Sequence, residues 1–201
     1  MRPVEYLDKI GFLNKNTILA HSVFLSEKEI KILGRRKCSV VYNPVSNLKL
    51  GIGAIFPYKS FKKAEVNVCL GTDSAVSNNN LDLFKEMKFA SLLQKFREKD
   101  PSQVKAEEII KVATKNGAKA LRINTGEIKE GKSADLILID LNQLCFCPGL
   151  NFYSDLVYSA SGDCVSDVIC NGKIIMRERK IKGEKEIMKK ATLASKKLIK
   201  K

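Results

Sequence analysis

Three short, uninterrupted apolar runs, each ending in a polar residue, constrain most strongly what this chain can fold into. They cover residues 17–21, 39–43 and 66–73. Continuous apolar runs of this length are typical of strands that are buried on both faces of a parallel sheet. The runs start 22 and 27 residues apart, a spacing typical of β/α units. The sequence therefore predicts an α/β fold with three parallel strands.

Helix signals separate the three runs. Ser26 and Glu29 are spaced as a capping box, which predicts a helix from Ser26 to about Arg36. Residues 57–64 are predicted to form a second, short helix before the third run. These two helices supply the connections that parallel strands need.

Longer helices are predicted after the third run. We expect Asn80 to cap a helix over residues 81–97, whose apolar residues share one side. A further helical stretch is predicted over residues 102–121, with a break near Asn116-Gly117.

The character of the chain changes after residue 122. Residues 134–140 and 165–170 are predicted strands, and Asn171-Gly172 predicts a hairpin turn into a third strand over residues 173–178. The predicted parts are a β/α part, a small β part and a basic C-terminal helix, at residues 1–122, 123–182 and 183–201.

The basic excess of the chain is concentrated in its C-terminal tail. The net charge is +14, and residues 173–201 carry 12 Lys or Arg against 3 Asp or Glu. Apolar residues at helical spacing predict an amphipathic helix in this tail: Ile187, Ala191, Ala194 and Leu198. One interpretation is an anionic partner such as RNA or lipid headgroups. We favour a solvated helix docked by its apolar stripe, and nucleic acid is not expected, because the tail lacks aromatic residues for base stacking.

The cysteines and the lack of long apolar runs indicate a cytoplasmic protein. The six cysteines include no CxxC pair and one CxC, at residues 145–147. We expect reduced, buried thiols, with a metal or redox site at the CxC as the alternative. The sequence contains no run of about 18 apolar residues, so no membrane span is predicted. The N-terminal residues lack the apolar centre of a signal peptide.

Polar residues end the three predicted strands. His21, Asn43 and Asp73 occupy these positions. In barrels of alternating strands and helices, functional groups sit at the carboxyl ends of the strands. A structural histidine, or an Asp or Asn in a turn or cap, would give the same pattern. The convergence of three such residues nevertheless predicts a site.

Several segments resemble a known family. The resemblance spans Arg2 to about Lys180. The segments are ILAHSVFLSEKEI, YNPVSNLKLGIG, LGTDSAVSNNNLDLFKEMKFASLLQK, GEIKEGKSADLILID and VSDVICNGKIIM. They resemble the C-terminal part of amidohydrolase-superfamily enzymes, in the branch of the 5'-methylthioadenosine/S-adenosylhomocysteine deaminases and the related chlorohydrolases.

The resemblance implies a fold and a set of site residues. It implies the last three strands of a (β/α)8 metal-dependent hydrolase barrel, followed by part of a β-sandwich. Asp73 matches the family's metal ligand, which also accepts the proton of the attacking water. His21 matches a histidine beside the metal that hydrogen-bonds the water or the substrate. Asn43 and Ser74 would face the substrate. The implied cofactor is one divalent metal, zinc or alternatively iron, in a completed site.

The implied reaction is hydrolytic deamination of an adenine nucleoside. Methylthioadenosine, S-adenosylhomocysteine and 5'-deoxyadenosine are the substrate types that the family suggests. The family also uses an HxH pair and another histidine with a glutamate nearby. This chain lacks those histidines, because His21 is its only one. We therefore expect weak metal binding and no deaminase activity from the chain alone.

Three hypotheses remain at this point. In the first, another polypeptide carries the missing N-terminal half of a split enzyme. In the second, the chain is a fragment or remnant of a longer enzyme. In the third, it is a non-catalytic binding module that uses its basic tail. A partner, or a homo-oligomer, would cover the open edges of the partial barrel.

Overall fold

The computed structural model of the chain describes residues 1–199, and Lys200 and Lys201, the end of the predicted basic tail, lie outside the described residues. The predicted parallel sheet is confirmed. Its strands are β1 (Ile18–Ala20), β2 (Ser39–Tyr42) and β3 (Asn67–Leu70), in the order β1-β2-β3. Ala20 pairs with Val41, which pairs with Cys69, so the three carboxyl ends meet at one edge.

Burial of the parallel sheet is uneven. Val40 is fully buried in the central strand, and Val68 in β3 is also buried. Ile18 in β1 is 40% exposed. The prediction that every strand is buried on both faces is therefore wrong for β1, because the helices of residues 1–199 pack mainly against β3 and leave β1 open.

The helices within residues 1–199 include several that the sequence patterns did not predict. The ten helices are α1 (Pro3–Lys9), α2 (Glu27–Arg35), α3 (Pro44–Lys49), α4 (Tyr58–Lys63), α5 (Ala75–Asn78), α6 (Leu83–Glu98), α7 (Ala106–Ala113), α8 (Lys115–Leu121), α9 (Phe152–Tyr158) and α10 (Glu184–Ile199). The unpredicted helices α1, α3, α5 and α9 have four to seven residues, too short for a clear helical period. The capping box of α2, with Ser26 as its N-cap, is confirmed.

The N-cap of α6 is Asp82, so the prediction of Asn80 is wrong. Asp82 Oδ1 accepts the Phe84 N–H at 2.9 Å. Asn80 Oδ1 accepts the Asp82 N–H at 2.8 Å, which makes a turn leading into the helix. The first helical residue is Leu83.

The predicted helix over residues 102–121 is two helices, and the break is at Thr114 instead of Asn116-Gly117. Thr114 has φ −117° and ψ −83°, outside the helical region. Asn116 Nδ2 donates to Val68 O at 2.8 Å and docks the start of α8 on β3. This contact with the sheet sets the position of the break, and Gly117 is tolerated inside α8.

The core packs the helices against the parallel sheet. Tyr42, at the end of β2, stacks on Phe56 with ring centroids 4.4 Å apart, and Phe56 stacks on Phe61 of α4 at 4.7 Å. All three rings are at most 1% exposed. Burying an aromatic side chain contributes about 2–3 kcal/mol. The stack therefore holds the carboxyl end of β2 in position.

The second sheet is antiparallel. Its four strands follow the chain order, as β4 (Leu136–Ile139), β5 (Val165–Cys170), β6 (Lys173–Arg177) and β7 (Lys180–Ile181). Cys170 pairs with Lys173 across a turn in which Asn171 and Gly172 have φ of 47° and 75°. The hairpin prediction is confirmed, since two positive φ values suit a right-twisted two-residue turn.

The basic tail forms a helix with no buried side chain among its described residues. Ile187 is 59% exposed and Leu198 is 77% exposed. The interpretation of an apolar stripe docked on the chain is therefore wrong within residues 1–199, because α10 leaves its stripe open to solvent. No helix in that range has the length and apolarity that crossing a bilayer requires.

Candidate active site

The carboxyl ends of the parallel strands bring His21, Asn43 and Asp73 together. His21 Nε2 lies 3.6 Å from Asp73 Oδ2. The ring's other nitrogen, Nδ1, lies 3.1 Å from Asn43 Nδ2. β2 lies between β1 and β3, so the His21–Asp73 contact crosses the end of the central strand.

Unusual backbone angles mark the strand ends. His21 has φ 106°, Ser22 has φ 67° and Asp73 has φ 60°. Residues other than glycine rarely adopt positive φ, and such strain concentrates at functional sites. Gly71 allows a close approach beside them, since a Cβ there would lie 2.6 Å from Asn43 Oδ1.

Hydrogen bonds hold the Asp73 carboxylate in its charged form. Ser46 Oγ donates to Asp73 Oδ2 at 2.6 Å, and the Ser74 N–H donates to Asp73 Oδ1 at 2.6 Å. These two bonds, the Ser46 bond foremost, lower the pKa of Asp73 below its ordinary value of 3.8. The side chain is 25% exposed, so a ligand can reach the carboxylate.

Two asparagines orient the His21 ring. Asn47 Oδ1 lies 3.2 Å from His21 Nδ1, and Asn43 Nδ2 lies 3.1 Å from the same atom. In one tautomer Nδ1–H donates to Asn47, and in the other Nδ1 accepts from Asn43. In both cases Nε2 is the nitrogen that faces Asp73. The His21 side chain is 41% exposed, so Nε2 is open to a ligand.

The two residues expected to face a substrate are placed differently. Asn43 is only 3% exposed, and its Oδ1 has no hydrogen-bond partner among the described residues. Ser74 is exposed and caps α5 by accepting the Ser77 N–H. The structure thus places Asn43 behind His21 and Ser74 on the open side of Asp73.

A buried carboxylate that the sequence analysis missed ties the two site loops together. Glu86 on α6 is 1% exposed. Its Oε2 accepts the Val45 N–H at 3.2 Å, and its Oε1 accepts Asn78 Nδ2 at 2.6 Å. Asn78 Nδ2 also donates to Thr72 O at 2.5 Å. Glu86 therefore fixes the residues adjoining Ser46 and Asp73.

One sequence signal for Glu86 was available. It lies three residues after Leu83 and four before Ala90, on the predicted apolar side of the helix. A charged residue on such a side is buried only when its oxygens have partners. No comparable signal was available for Ser46 or Asn47, whose roles depend on contacts between strand ends.

A second tie between the loops lies at the surface. Lys49 at the end of α3 donates to Val76 O at 3.0 Å and also to Asn79 Oδ1. The ammonium thus joins the loop after β2 to the loop after β3 on the exposed side of the site.

The donor atoms of the site fit part of a metal centre. A carboxylate oxygen and an imidazole nitrogen are both common zinc ligands, and a catalytic zinc takes about three protein ligands. No cluster of three or more His, Cys, Asp or Glu with metal-ligand geometry occurs within residues 1–199. Asp73 and His21 can therefore contribute to a metal site but do not complete one.

A family model and curated relatives match this chain over most of its length. The model of the Amidohydrolase family matches residues 1–175. "5-methylthioadenosine/S-adenosylhomocysteine deaminase 1" of Archaeoglobus fulgidus is 46% identical over 97% of this chain and 47% of the relative. "5'-deoxyadenosine deaminase" of Methanoregula boonei is 46% identical over 98% of this chain and 45% of the relative. The chain thus spans about half the length of the curated relatives it matches.

Solved structures share the fold. An adenosine deaminase from Xanthomonas campestris, with bound zinc, matches with a TM-score of 0.86 and 37% identity. The match covers 90% of this chain and 42% of that one. The atrazine chlorohydrolase TrzN from Arthrobacter aurescens, complexed with zinc, has a TM-score of 0.88 at 24% identity and covers 96% of this chain and 44% of that one. At that identity the second match bears on the fold alone.

Proposed function

Because this chain belongs to the amidohydrolase family, we propose that it is the C-terminal portion of a metal-dependent enzyme that deaminates an adenine nucleoside. The names of the relatives support the reaction, since they are deaminases of methylthioadenosine, S-adenosylhomocysteine or 5'-deoxyadenosine. The proposal covers nucleosides of this type.

The observation that carries the proposal is the His21–Asp73 pair at the carboxyl edge of the parallel sheet. The two side chains are 3.6 Å apart and both are partly exposed. A carboxylate held ionised beside an imidazole provides a proton acceptor and an orienting hydrogen-bond partner. Buried groups fix both side chains: Ser46 contacts the carboxylate, and Asn43 and Asn47 contact the ring.

The proposed cofactor is one divalent metal, zinc or alternatively iron, with Asp73 as a ligand and His21 beside it. The zinc bound in the Xanthomonas campestris adenosine deaminase, which is 37% identical to this chain, supports this choice. A divalent metal supplies a bound water whose pKa falls to about 7.

The proposed roles of the protein groups follow from their positions. Asp73 accepts the proton of the attacking water and passes it to the leaving amine, so that ammonia departs as the new C–O bond replaces the C–N bond. His21 Nε2 holds the water or the ring of the substrate by a hydrogen bond. Ser74, on the open side of Asp73, contacts the substrate, whereas Asn43 acts by orienting His21.

The proposed architecture is the last three strands of a (β/α)8 barrel together with a segment of a β-sandwich. The HxH pair and the further histidine of the family have no counterpart here, since the chain has one histidine. We propose that a polypeptide outside these 201 residues supplies them. A homo-oligomer would cover the open sheet edges but would not add these groups.

The test is complementation. The part of the Archaeoglobus fulgidus relative that this chain does not match is mixed with the 201-residue chain and zinc, and ammonia release from methylthioadenosine and 5'-deoxyadenosine is measured. We expect no activity from either polypeptide alone and deamination by the mixture. Asp73→Asn in the mixture should lower the rate at least about a thousandfold, whereas Asp163→Asn, at an exposed surface turn, should leave it unchanged. Equal rates for the two variants would contradict the assignment of Asp73.

A second candidate function rests on the open basic helix. The exposed helix α10 favours a binding module for an anionic partner, because neither its lysines nor its apolar stripe is covered within residues 1–199. Co-sedimentation of the full chain with anionic lipid vesicles and gel shift with single-stranded RNA test this candidate. A chain ending at residue 183 is the control and should lose the binding. Equal behaviour of both chains would remove the candidate.

A further inference from the structure

The antiparallel part of the molecule holds a pair of thiols that the proposed reaction does not use. Cys145 lies in a 3₁₀ turn (Leu144–Phe146), and Cys164 ends a second one (Gly162–Cys164). Their Sγ atoms are 3.4 Å apart. The other four cysteines are also free thiols: Cys38, Cys69, Cys147 and Cys170.

We propose that Cys145 and Cys164 form an oxidisable dithiol that closes an intramolecular disulfide when a small disulfide reagent reaches Cys145. A disulfide needs sulfurs about 2.05 Å apart, so the two Sγ atoms have to approach each other by about 1.4 Å from the present contact. Cys145 is half-buried and accessible, whereas Cys164 is only 2% exposed. The accessible Cys145 thiol therefore reacts with the reagent to form a mixed disulfide, and the buried Cys164 thiol then attacks that mixed disulfide.

The chemistry balances with oxidised glutathione as the oxidant. The Cys145 thiolate attacks one sulfur of the reagent, whose S–S bond breaks, and one glutathione leaves as a thiol. The Cys164 thiolate then attacks the Cys145 sulfur, and the second glutathione leaves as a thiol. The protein pair loses two electrons and two protons, and glutathione gains both.

Backbone and core contacts hold the two cysteines in place. Cys164 O accepts the Asp140 N–H at 2.9 Å, which holds the buried thiol against the end of β4. Phe146 and Val165, next to the two cysteines, are buried in the core. Burial, and next the contact with Cys164, raise the pKa of the Cys145 thiol, so its thiolate fraction is small at neutral pH and the exchange with the reagent is slow.

The crosslink would restrain a segment that contacts both the start and the middle of α6. The closed loop contains α9, whose Tyr158 hydroxyl lies 2.7 Å from Ser91 Oγ on α6. It also contains Gly162, whose N–H donates to Asp82 Oδ2 at 3.0 Å. Closing a loop of this length restricts the unfolded chain. We expect a rise in Tm of about 5–10 °C and slower amide exchange at Gly162.

The experiment uses the full 201-residue chain in oxidised glutathione, followed by alkylation of free thiols, intact mass and peptide mapping. The proposal predicts a loss of two hydrogens, with the bond mapped to Cys145 and Cys164. Cys164→Ala should instead retain glutathione on Cys145, and Cys147→Ser, the control within the CxC, should still close the bond.

Three results would overturn the proposal. They are a bond between Cys145 and Cys147, a glutathione that persists on Cys145 in the unsubstituted chain, and no oxidation of Cys145. The map of the unsubstituted chain decides the pairing even if Cys164→Ala fails to fold. None of these readouts depends on deaminase activity, so the proposed function can fail independently.

Discussion

At the residue scale, Glu86 stabilises the candidate site through hydrogen bonds to the two loops that carry it. Its carboxylate bonds to Val45 and Asn78, and both loops that carry the site depend on those two bonds. Removing a buried partner leaves the remaining donors unsatisfied, which costs more than the hydrogen bonds contribute.

We expect Glu86→Ala to lower the free energy of unfolding by about 2–4 kcal/mol, because two donors lose their acceptor and a cavity forms. Urea unfolding at neutral pH measures the change. Glu107→Ala, on the exposed face of α7, is the matched control and should change stability by less than about 0.5 kcal/mol. A loss no larger than that of the control would show that Glu86 does not hold the loops.

Glu86 also predicts a pH dependence of stability. Burial raises its pKa above the ordinary value of 4.5, so the folded state binds this proton more tightly than the unfolded state does. The contribution of the group is therefore fully present below pH 4.5 and is lost as pH rises through the raised pKa. We expect Glu86→Gln, which does not ionise, to become more stable relative to the unsubstituted chain as pH rises from 4.5 to neutrality. Unfolding curves across that range measure the difference, and a constant difference would contradict the raised pKa.

The residues of the candidate site differ in how far the sequence could predict them. Asp73 and His21 each end an apolar run, so local pattern sufficed to single them out. The Ser46–Asp73 bond joins residues 27 positions apart, and the Glu86–Val45 bond joins residues 41 positions apart. Such contacts depend on how strands and helices assemble, which no local pattern contains.

At the scale of elements, Asn80 and Asp82 have different roles at the start of α6. We expect Asp82→Ala to destabilise the chain by about 1 kcal/mol, because Asp82 accepts the Phe84 N–H as the N-cap and also the Gly162 N–H. Asn80→Ala should cost less, since Asn80 contributes only a turn bond to Asp82. Thermal unfolding of the two variants measures this order, and the reverse order would restore Asn80 as the cap.

The elements that were predicted correctly have strong local signals. The capping box of α2 and the Asn171-Gly172 turn act through neighbouring residues. The break was predicted near Asn116-Gly117 instead of at Thr114, because the contact of Asn116 with β3 overrides the local preference of Gly117. The exposure of α10 could not be predicted either, since an amphipathic pattern shows that a helix has an apolar side but not what covers that side.

At the scale of the whole molecule, the parallel sheet is open. Within residues 1–199, β1 and β3 each pair with β2 alone. Unpaired edges and an exposed apolar residue such as Ile18 favour association with another chain segment. The matching relatives are about twice as long. These observations support the proposal that Asp73 and His21 act in a site completed from outside the 201 residues.

Native purification from the source cells, followed by intact mass and metal analysis of everything that copurifies, tests whether the site is completed in this way. We expect residues 1–201 to occur together with a polypeptide segment bearing an HxH motif, as a second chain or within one longer chain, and with one divalent metal per site. A species of these 201 residues alone, without partner and without metal, would contradict it.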